Sequence, residues 1–166
     1  RRDKHTFGAR RRRAGAQALV HVGSCSEYAE LAERRPLRES DLLETVETYA
    51  ASKAAGSLAV MEAARNCGIN AVVARLFNVY GAGERPWRLL PFLHRNLTVG
   101  RPVPLSEGSQ VRDFLYVEDA VAGLAALALV LSSGSQTPGV VNLCSGTDVT
   151  VRKFAETVAD ALDAPR

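Results

Sequence analysis

Short apolar runs alternate along this chain with longer helical segments, and this alternation constrains the fold more than any other feature. The short runs predict buried strands at residues 17–24, 70–81, 113–117 and 139–146. The longer segments predict helices from Thr48 to Cys67, within 85–102, at 118–133 and at 150–162. The polar stretch 32–47 predicts a loop with helical pieces. Strands that alternate with helices favour an α/β fold with a parallel sheet.

The helix predicted from Thr48 begins with a tyrosine and a lysine four residues apart. Tyr49 and Lys53 share one helix face at this spacing. An ammonium held beside a phenol favours the phenolate and lowers the pKa of the tyrosine, so the pair could be a general base. It could equally be an ordinary helix surface.

Polar residues stand at the ends of the strands on either side of this helix. Ser24 ends the strand before it, and Asn78 lies near the end of the strand after it. Ligands of parallel sheets bind beyond the carboxyl ends of the strands. We therefore expect these residues to converge at one rim with the start of the helix.

The basic charge of the chain is concentrated at one end. Residues 1–13 hold seven of the 21 lysines and arginines and one of the 18 acidic residues, which leaves 14 basic and 17 acidic residues elsewhere. A basic segment can bind nucleic acid. We favour a disordered tail or a misplaced start instead, because no aromatic or glycine-rich recognition pattern accompanies the arginines.

Cysteine content and hydropathy restrict the setting in which the chain functions. Cys25, Cys67 and Cys144 are far apart and show no metal-binding spacing, which argues against a disulfide framework or a zinc site and favours the cytoplasm. The longest apolar run, residues 120–131, is too short to span a bilayer. No signal peptide is evident, so we expect no membrane association.

Six motifs occur in order along the chain. They are "VGSCSEY" (22–28), "YAASK" (49–53), "ARLFNVYGAGE" (74–84), "GRPVPL" (100–105), "QVRDFLYVEDA" (110–120) and "VVNLCSGTDVT" (141–150). Together they resemble the extended short-chain dehydrogenase/reductases, and among these the NAD-dependent epimerase/dehydratase family that modifies nucleotide sugars. The resemblance extends from about residue 17 to residue 162.

This resemblance implies an architecture and a set of partners. We expect the second half of a Rossmann-like, doubly wound parallel sheet with part of a small α/β substrate-binding domain. The parts are a basic tail at 1–16, the catalytic half of the Rossmann-like domain at 17–81, and a substrate-binding portion with interleaved Rossmann elements at 82–166. NAD or NADP is the implied cofactor and a nucleotide diphosphate sugar the implied substrate. The helix that carries Tyr49 and Lys53 is the implied homodimer interface.

The resemblance also implies roles for five residues. Tyr49 would be the acid/base on the sugar oxygen. Lys53 would lower the pKa of Tyr49 and hold the nicotinamide ribose, and Ser24 would hydrogen-bond the same sugar oxygen. Asn78 would contact the nucleotide sugar, and Arg112 its diphosphate.

Simple structural roles compete with these assignments. Ser24 could end a turn, and Asn78 could bond the backbone of its loop. Arg112 could form an ion pair with Asp113 or Asp119.

Two departures from the family pattern shape the functional expectation. The sequence has no glycine-rich strand–turn–helix motif for the dinucleotide pyrophosphate, so we expect a truncated or remnant form of such an enzyme. The 4,6-dehydratases have a glutamate two residues after the catalytic Ser/Thr, where this chain has Ser26 and places Glu27 one position later. We therefore expect an epimerase or 4-ketoreductase, with a 4,6-dehydratase less favoured. The alternative is a non-catalytic remnant that binds a nucleotide sugar or a partner.

Overall fold

The computed structural model describes residues 18–33 and 35–164, which form two units. The first comprises the described residues up to Phe77 together with Ala120–Leu143, and the second comprises Asn78–Asp119 and the described residues from Cys144 onward. The basic segment 1–13, and the tail predicted at 1–16, lie outside the described residues.

Six strands and four helices follow one another in the described chain. They are β1 (Ala18–Ser24), α1 (Thr48–Cys67), β2 (Asn70–Leu76), β3 (Asn78–Tyr80), α2 (Leu89–Leu97), β4 (Val111–Tyr116), α3 (Val117–Ser132), β5 (Val140–Leu143), β6 (Asp148–Thr150) and α4 (Val151–Ala161). A short 3₁₀ turn, Cys25–Glu27, directly follows β1. The α/β class and the positions of the four helices confirm the sequence-based expectation.

The first unit contains a three-stranded parallel sheet in the order β1-β2-β5. β1 and β2 are in register from Ala18 opposite Asn70 to Ser24 opposite Leu76. The middle strand is apolar except for Asn70 and Arg75 and is buried on both faces, because parallel sheets are covered on both sides. The carboxyl ends of β1 and β2 therefore reach the same edge.

Helix α1 has the boundaries predicted from its sequence. Its alanine-rich composition favours the helix, and its buried positions are mostly small residues. Gly68 ends it in the left-handed conformation, at φ 63°, and the next amide, of Ile69, donates to the carbonyl of Ala64 at 2.9 Å. Tyr49 and Lys53 consequently lie in its first two turns.

The single strand predicted at 70–81 is wrong, because the chain breaks at Phe77 into two strands of different sheets. β2 pairs with β1 and β5, and the amide of Phe77 still donates to the carbonyl of Leu143 at 3.1 Å. The next residues form β3, which pairs with β4 instead. The apolar pattern continues through Phe77, so it does not reveal this change of partner.

The helical pieces predicted at 32–47 are also wrong for the described residues of that stretch. The segment is held as a loop by side-chain bonds, chiefly from the guanidinium of Arg35 to both carboxylate oxygens of Asp41, at 2.8 and 2.7 Å. These bonds hold the pKa of Asp41 at about 2. Backbone bonds between residues 27–29 and 42–44 tie the loop to the end of β1.

The second unit has a mixed sheet. β3 runs parallel to β4, and β4 runs antiparallel to β6, a strand that the sequence analysis did not predict. Phe114 of β4 stacks on Phe154 of α4 with ring centroids 4.0 Å apart, and Tyr80 meets Phe154 edge-on. Among the helices described, none combines the length and apolarity needed to cross a bilayer.

Candidate active site

Ser24 lies at the carboxyl end of β1, where its backbone and side chain are both held. Its Oγ accepts a hydrogen bond from the amide of Ser26 at 3.1 Å, and its own amide donates to Oε1 of Glu27 at 2.9 Å. These reciprocal bonds form a capping box around the 3₁₀ turn. Because Oγ serves as an acceptor here, its proton can still be donated to a ligand.

Lys53 joins helix α1 to the same strand. Its Nζ donates to the carbonyl oxygen of Val22 at 2.8 Å, two residues before Ser24. An ammonium has three protons, so two are left for other acceptors. The structure thus brings the Lys53 side chain to the strand that ends in Ser24.

Tyr49 lies one turn before Lys53 on α1 and is largely open to solvent. It is 63% exposed, and its hydroxyl has no hydrogen-bond partner in the described part of the chain. No hydrogen bond joins it to Lys53 there. The phenol is therefore accessible to a ligand.

A buried polar cluster lies beneath these residues. Glu27, Ser57 and Arg75 are 0%, 2% and 4% exposed. Oε1 of Glu27 accepts from the Ser57 hydroxyl, and Oε2 accepts from Nε of Arg75, each at 2.9 Å. Both oxygens of the Glu27 carboxylate therefore accept hydrogen bonds in the interior, whereas Ser26 is exposed.

Two titratable neighbours of this cluster respond to burial. Burial raises the pKa of the Tyr28 phenol, partly offset by the Arg75 guanidinium, which lies 4.4 Å from the ring centroid. Burial also lowers the pKa of His21, with a smaller contribution from Lys53. Among the described residues, Nε2 of His21 is buried without a hydrogen-bond partner. Both effects favour the neutral forms of these side chains.

The second unit contains a cavity of about 370 Å³ that is lined by two of the three predicted substrate-binding residues, Asn78 and Arg112. Its polar and aromatic lining comprises Asn78, Tyr80, Glu84, Trp87, Arg88, Arg112, Phe114 and Phe154. A larger, mainly apolar cavity of about 600 Å³ in the same unit contains none of the predicted site residues.

Arg112 presents its guanidinium at this cavity. Its Nη1 donates only to the carbonyl of the neighbouring Val111, at 2.9 Å, and it forms no ion pair within the described residues. The carboxylate of Asp113 instead accepts from the amides of Ser145 and Gly146, at 2.8 and 2.7 Å. The structural alternative for Arg112, an ion pair with Asp113 or Asp119, is therefore absent.

Helix α2 begins at the same cavity. Arg88, the residue before its first turn, lines the cavity with Leu89 and Leu90, and no side chain caps the helix. Free amides at a helix N-terminus attract anions. Asn78 is less free, because its Nδ2 donates to the carbonyl of Asp113 at 3.3 Å. This bond matches the backbone role considered for it and leaves its Oδ1 available.

Sequence reasoning missed the buried cluster and, apart from Asn78 and Arg112, the polar and aromatic lining of the cavity. The spacing Ser24-x-x-Glu27 is that of a capping box, and Arg75 interrupts an otherwise apolar strand, so both were visible signals. Trp87 and Arg88 carried no comparable signal.

A serine at a strand end and a Tyr-x-x-x-Lys helix tied to that strand are typical of short-chain dehydrogenase/reductases. The chain belongs to the NAD dependent epimerase/dehydratase family, whose model matches residues 9–144. The enzymes of this family use NAD(P), and its members include nucleotide-sugar dehydratases and epimerases.

Relatives and solved structures agree with this family assignment. The chain is 32% identical over 147 residues to a dTDP-glucose 4,6-dehydratase of Streptomyces niveus, covering 88% of this chain and 42% of that protein. It is 30% identical over 158 residues to a dTDP-6-deoxy-L-talose 4-dehydrogenase (NAD(P)(+)) of Kitasatospora kifunensis, covering 92% and 48%.

Among solved structures, MoeE5 in complex with UDP-glucose and NAD matches with a TM-score of 0.78 and 29% identity, over 92% of this chain and 50% of that one. A dTDP-glucose 4,6-dehydratase of Bacillus anthracis in complex with NAD matches with a TM-score of 0.82 and 25% identity, over 97% and 51%. The chain thus spans about half the length of these four proteins.

Proposed function

We propose that this chain binds a nucleotide diphosphate sugar and acts on its C4 oxygen as an NAD(P)-dependent 4-ketoreductase or epimerase. The observation that carries the proposal is the cavity of the second unit. It combines the guanidinium of Arg112, which forms no ion pair within the described residues, with the uncapped start of α2. Arg88 also lines the cavity, but its Nε lies 3.4 Å from the carboxylate of Glu84, another lining residue. The guanidinium of Arg112 and the helix N-terminus suit a diphosphate.

The residues of the first unit suit the chemistry at a sugar carbon. The exposed Tyr49 hydroxyl would exchange a proton with the sugar oxygen, and the Ser24 hydroxyl would donate a hydrogen bond to the same oxygen. NAD(P), when bound, supplies or accepts the hydride. The two remaining Lys53 protons fit the hydroxyls of a ribose, so this part of the chain suits the nicotinamide end of that cofactor.

The burial of the Glu27 carboxylate supports a reduction or epimerisation reaction over the elimination of water. Ser26 stands where a dehydratase has its glutamate, and the carboxylate of Glu27 is buried against Arg75 and Ser57. The Glu27 carboxylate therefore cannot act as the acid that protonates a leaving hydroxyl.

The second candidate function is that of a 4,6-dehydratase, because several relatives have that name.

Trp87 gives a direct test of substrate binding. It is the one tryptophan of the sequence and lines the cavity, so its fluorescence reports what enters. We expect UDP-glucose and dTDP-glucose to change the emission saturably in wild type and Arg101→Ala, and much more weakly in Arg112→Ala. Arg101 is the matched control, because it lines the other cavity. If neither fluorescence nor calorimetry detects either ligand, the proposed function is wrong.

Product analysis separates the two candidate reactions. A 4-ketoreductase consumes NAD(P)H with a 4-keto nucleotide sugar, whereas a 4,6-dehydratase forms a 4-keto-6-deoxy sugar from dTDP-glucose with no net consumption of cofactor. Formation of that product would replace the first candidate by the second.

We also propose that the protein forms a homodimer through α1. The helix exposes Leu58, at 61%, beside a series of small residues that permit close packing. Sedimentation should show a dimer that Leu58→Lys dissociates. A monomeric wild type would contradict this proposal.

A further inference from the structure

We propose that Glu27 is a positioning residue, which fixes the backbone of Ser24 against the helix that carries Tyr49 and Lys53. The inference rests on the proposed function, because it takes these three residues as the reacting group. It assigns no contact with substrate to Glu27. The geometry of four contacts carries it.

The first contact is with the backbone of Ser24. Oε1 of Glu27 accepts the Ser24 amide at 2.9 Å, so the carboxylate holds the residue at the point where β1 becomes a turn. The preceding residue must be glycine for this to happen. A Cβ on Gly23 would lie 2.5 Å from the same Oε1 and 3.0 Å from the Val73 side chain. Gly23 thus makes room for the carboxylate beneath the strand.

The second contact is with helix α1. The Ser57 hydroxyl donates to the same Oε1 at 2.9 Å. Ser57 lies four residues after Lys53, on the same helix face. Lys53 makes its own bond to the carbonyl of Val22, so two successive turns of the helix are tied to the end of β1. One oxygen atom of Glu27 therefore links the serine and the Tyr49–Lys53 helix.

The third contact joins Glu27 to β2, and the fourth joins its neighbour Tyr28 to β5. Oε2 accepts from Nε of Arg75 on β2, and the Arg75 guanidinium faces the ring of Tyr28. The Tyr28 hydroxyl in turn donates to Oδ1 of Asn142 on β5 at 2.6 Å. The carboxylate of Glu27 thus contacts β1 and β2 directly, and it is linked to β5 through Arg75 and Tyr28.

This arrangement is better suited to fixing geometry than to stability alone. A buried ion pair often stabilises no more than apolar side chains of the same volume. Nη1 of Arg75 is moreover buried without an acceptor among the described residues. A polar network in a low-dielectric interior does, however, fix the positions of its members.

Amide hydrogen exchange, read residue by residue by NMR, tests the inference whether or not the protein turns over. The variants are Ser57→Ala, which removes only the tie to the helix, and Glu27→Gln, which removes the charge. The control is Glu62→Gln, because Glu62 lies on the same helix and pairs with Arg65 at the surface. The β2 amides, of Val72 to Ala74, report whether a variant remains folded.

We expect the Ser24 amide to exchange several-fold faster in Ser57→Ala, up to about tenfold, as for a weakened buried hydrogen bond. The β2 amides should keep their wild-type rates, and Glu62→Gln should change neither. Where turnover is measurable, kcat should fall in Ser57→Ala while KM stays constant. If the β2 amides also lose their protection from exchange in Glu27→Gln, that variant is unfolded. The Ser57→Ala variant alone then decides whether the inference holds.

The inference is overturned if the Ser24 amide keeps its rate in Ser57→Ala, or if Glu62→Gln accelerates it equally. A raised KM with an unchanged kcat would also overturn it. A wild type that neither binds nor converts any nucleotide sugar would refute the proposed function, and the exchange rates would still decide whether Glu27 positions Ser24.

Discussion

Two arginines, one in each unit, differ in the burial and in the partners of their guanidinium groups. Arg75 is buried, with its Nε on a carboxylate and its plane against a tyrosine ring. Arg112 is exposed at a cavity, and within the described part of the chain its side chain donates only to the carbonyl next to it. A buried charge requires a partner, whereas a hydrated one does not. The comparison separates a charge that builds the site from a charge that can receive a ligand.

The same contrast applies within the first unit, where Tyr49 is exposed above the buried cluster. Its hydroxyl contributes little to the fold and much to the proposed chemistry, so Tyr49→Phe should lower turnover by about 10²–10⁴-fold. Substrate affinity and melting temperature should stay near those of wild type, because the ring is retained. Steady-state kinetics with calorimetry measures both. Near-normal kcat would remove Tyr49 from the acid/base role.

Removal of Arg75 should affect stability most. Arg75→Met leaves the carboxylate of Glu27 buried without its cation, which should lower the free energy of unfolding by about 3–5 kcal/mol. Arg65→Met is the control, since it breaks an exposed pair with Glu62 that contributes about 0–1 kcal/mol. Denaturant titration measures both values. Similar losses in the two variants would show that the burial of Arg75 is unimportant.

Arg112 should show the reverse pattern. Arg112→Lys keeps the charge but loses the paired donors of the guanidinium, so the affinity for a nucleotide diphosphate sugar should fall by about 1–3 kcal/mol. The melting temperature should hardly change, because Arg112 forms no ion pair with any residue that the structure describes. Arg101→Lys should alter neither quantity. A lower melting temperature with unaltered affinity would make Arg112 a structural residue.

Features that local sequence determines were predictable from the sequence. Helix α1 was found to the residue, because its alanines favour helix throughout and Gly68 permits the left-handed turn that ends it. Ser24 was placed at the end of β1 by the same local reasoning, whereas Asn78, expected near the end of a strand, begins β3 of the second unit. Their roles came from the family resemblance.

Features that depend on distant partners were not predictable. The break at Phe77 reflects a change of neighbouring strand, which the apolar run does not encode. The position of Glu27 depends on Ser57 and Arg75, which are 30 and 48 residues away in sequence. The position of Trp87 in the cavity likewise depends on how its loop packs against the sheet of the second unit.

His21 should give the smallest effect, because it concerns one buried ring nitrogen, Nε2, that has no hydrogen-bond partner among the described residues. Burial and Lys53 lower its pKa in the folded state and Glu27 opposes them, so the unfolded chain binds the proton more readily. The contribution of His21 to stability is therefore present above its ordinary pKa of about 6.5 and is lost as the pH falls below that value. The melting temperature of wild type should drop more between pH 7.5 and 5.5 than that of His21→Gln, by at most about 2–4 °C. Thermal melts of both proteins across that range measure the difference. Parallel curves would show that protonation of His21 does not affect folding.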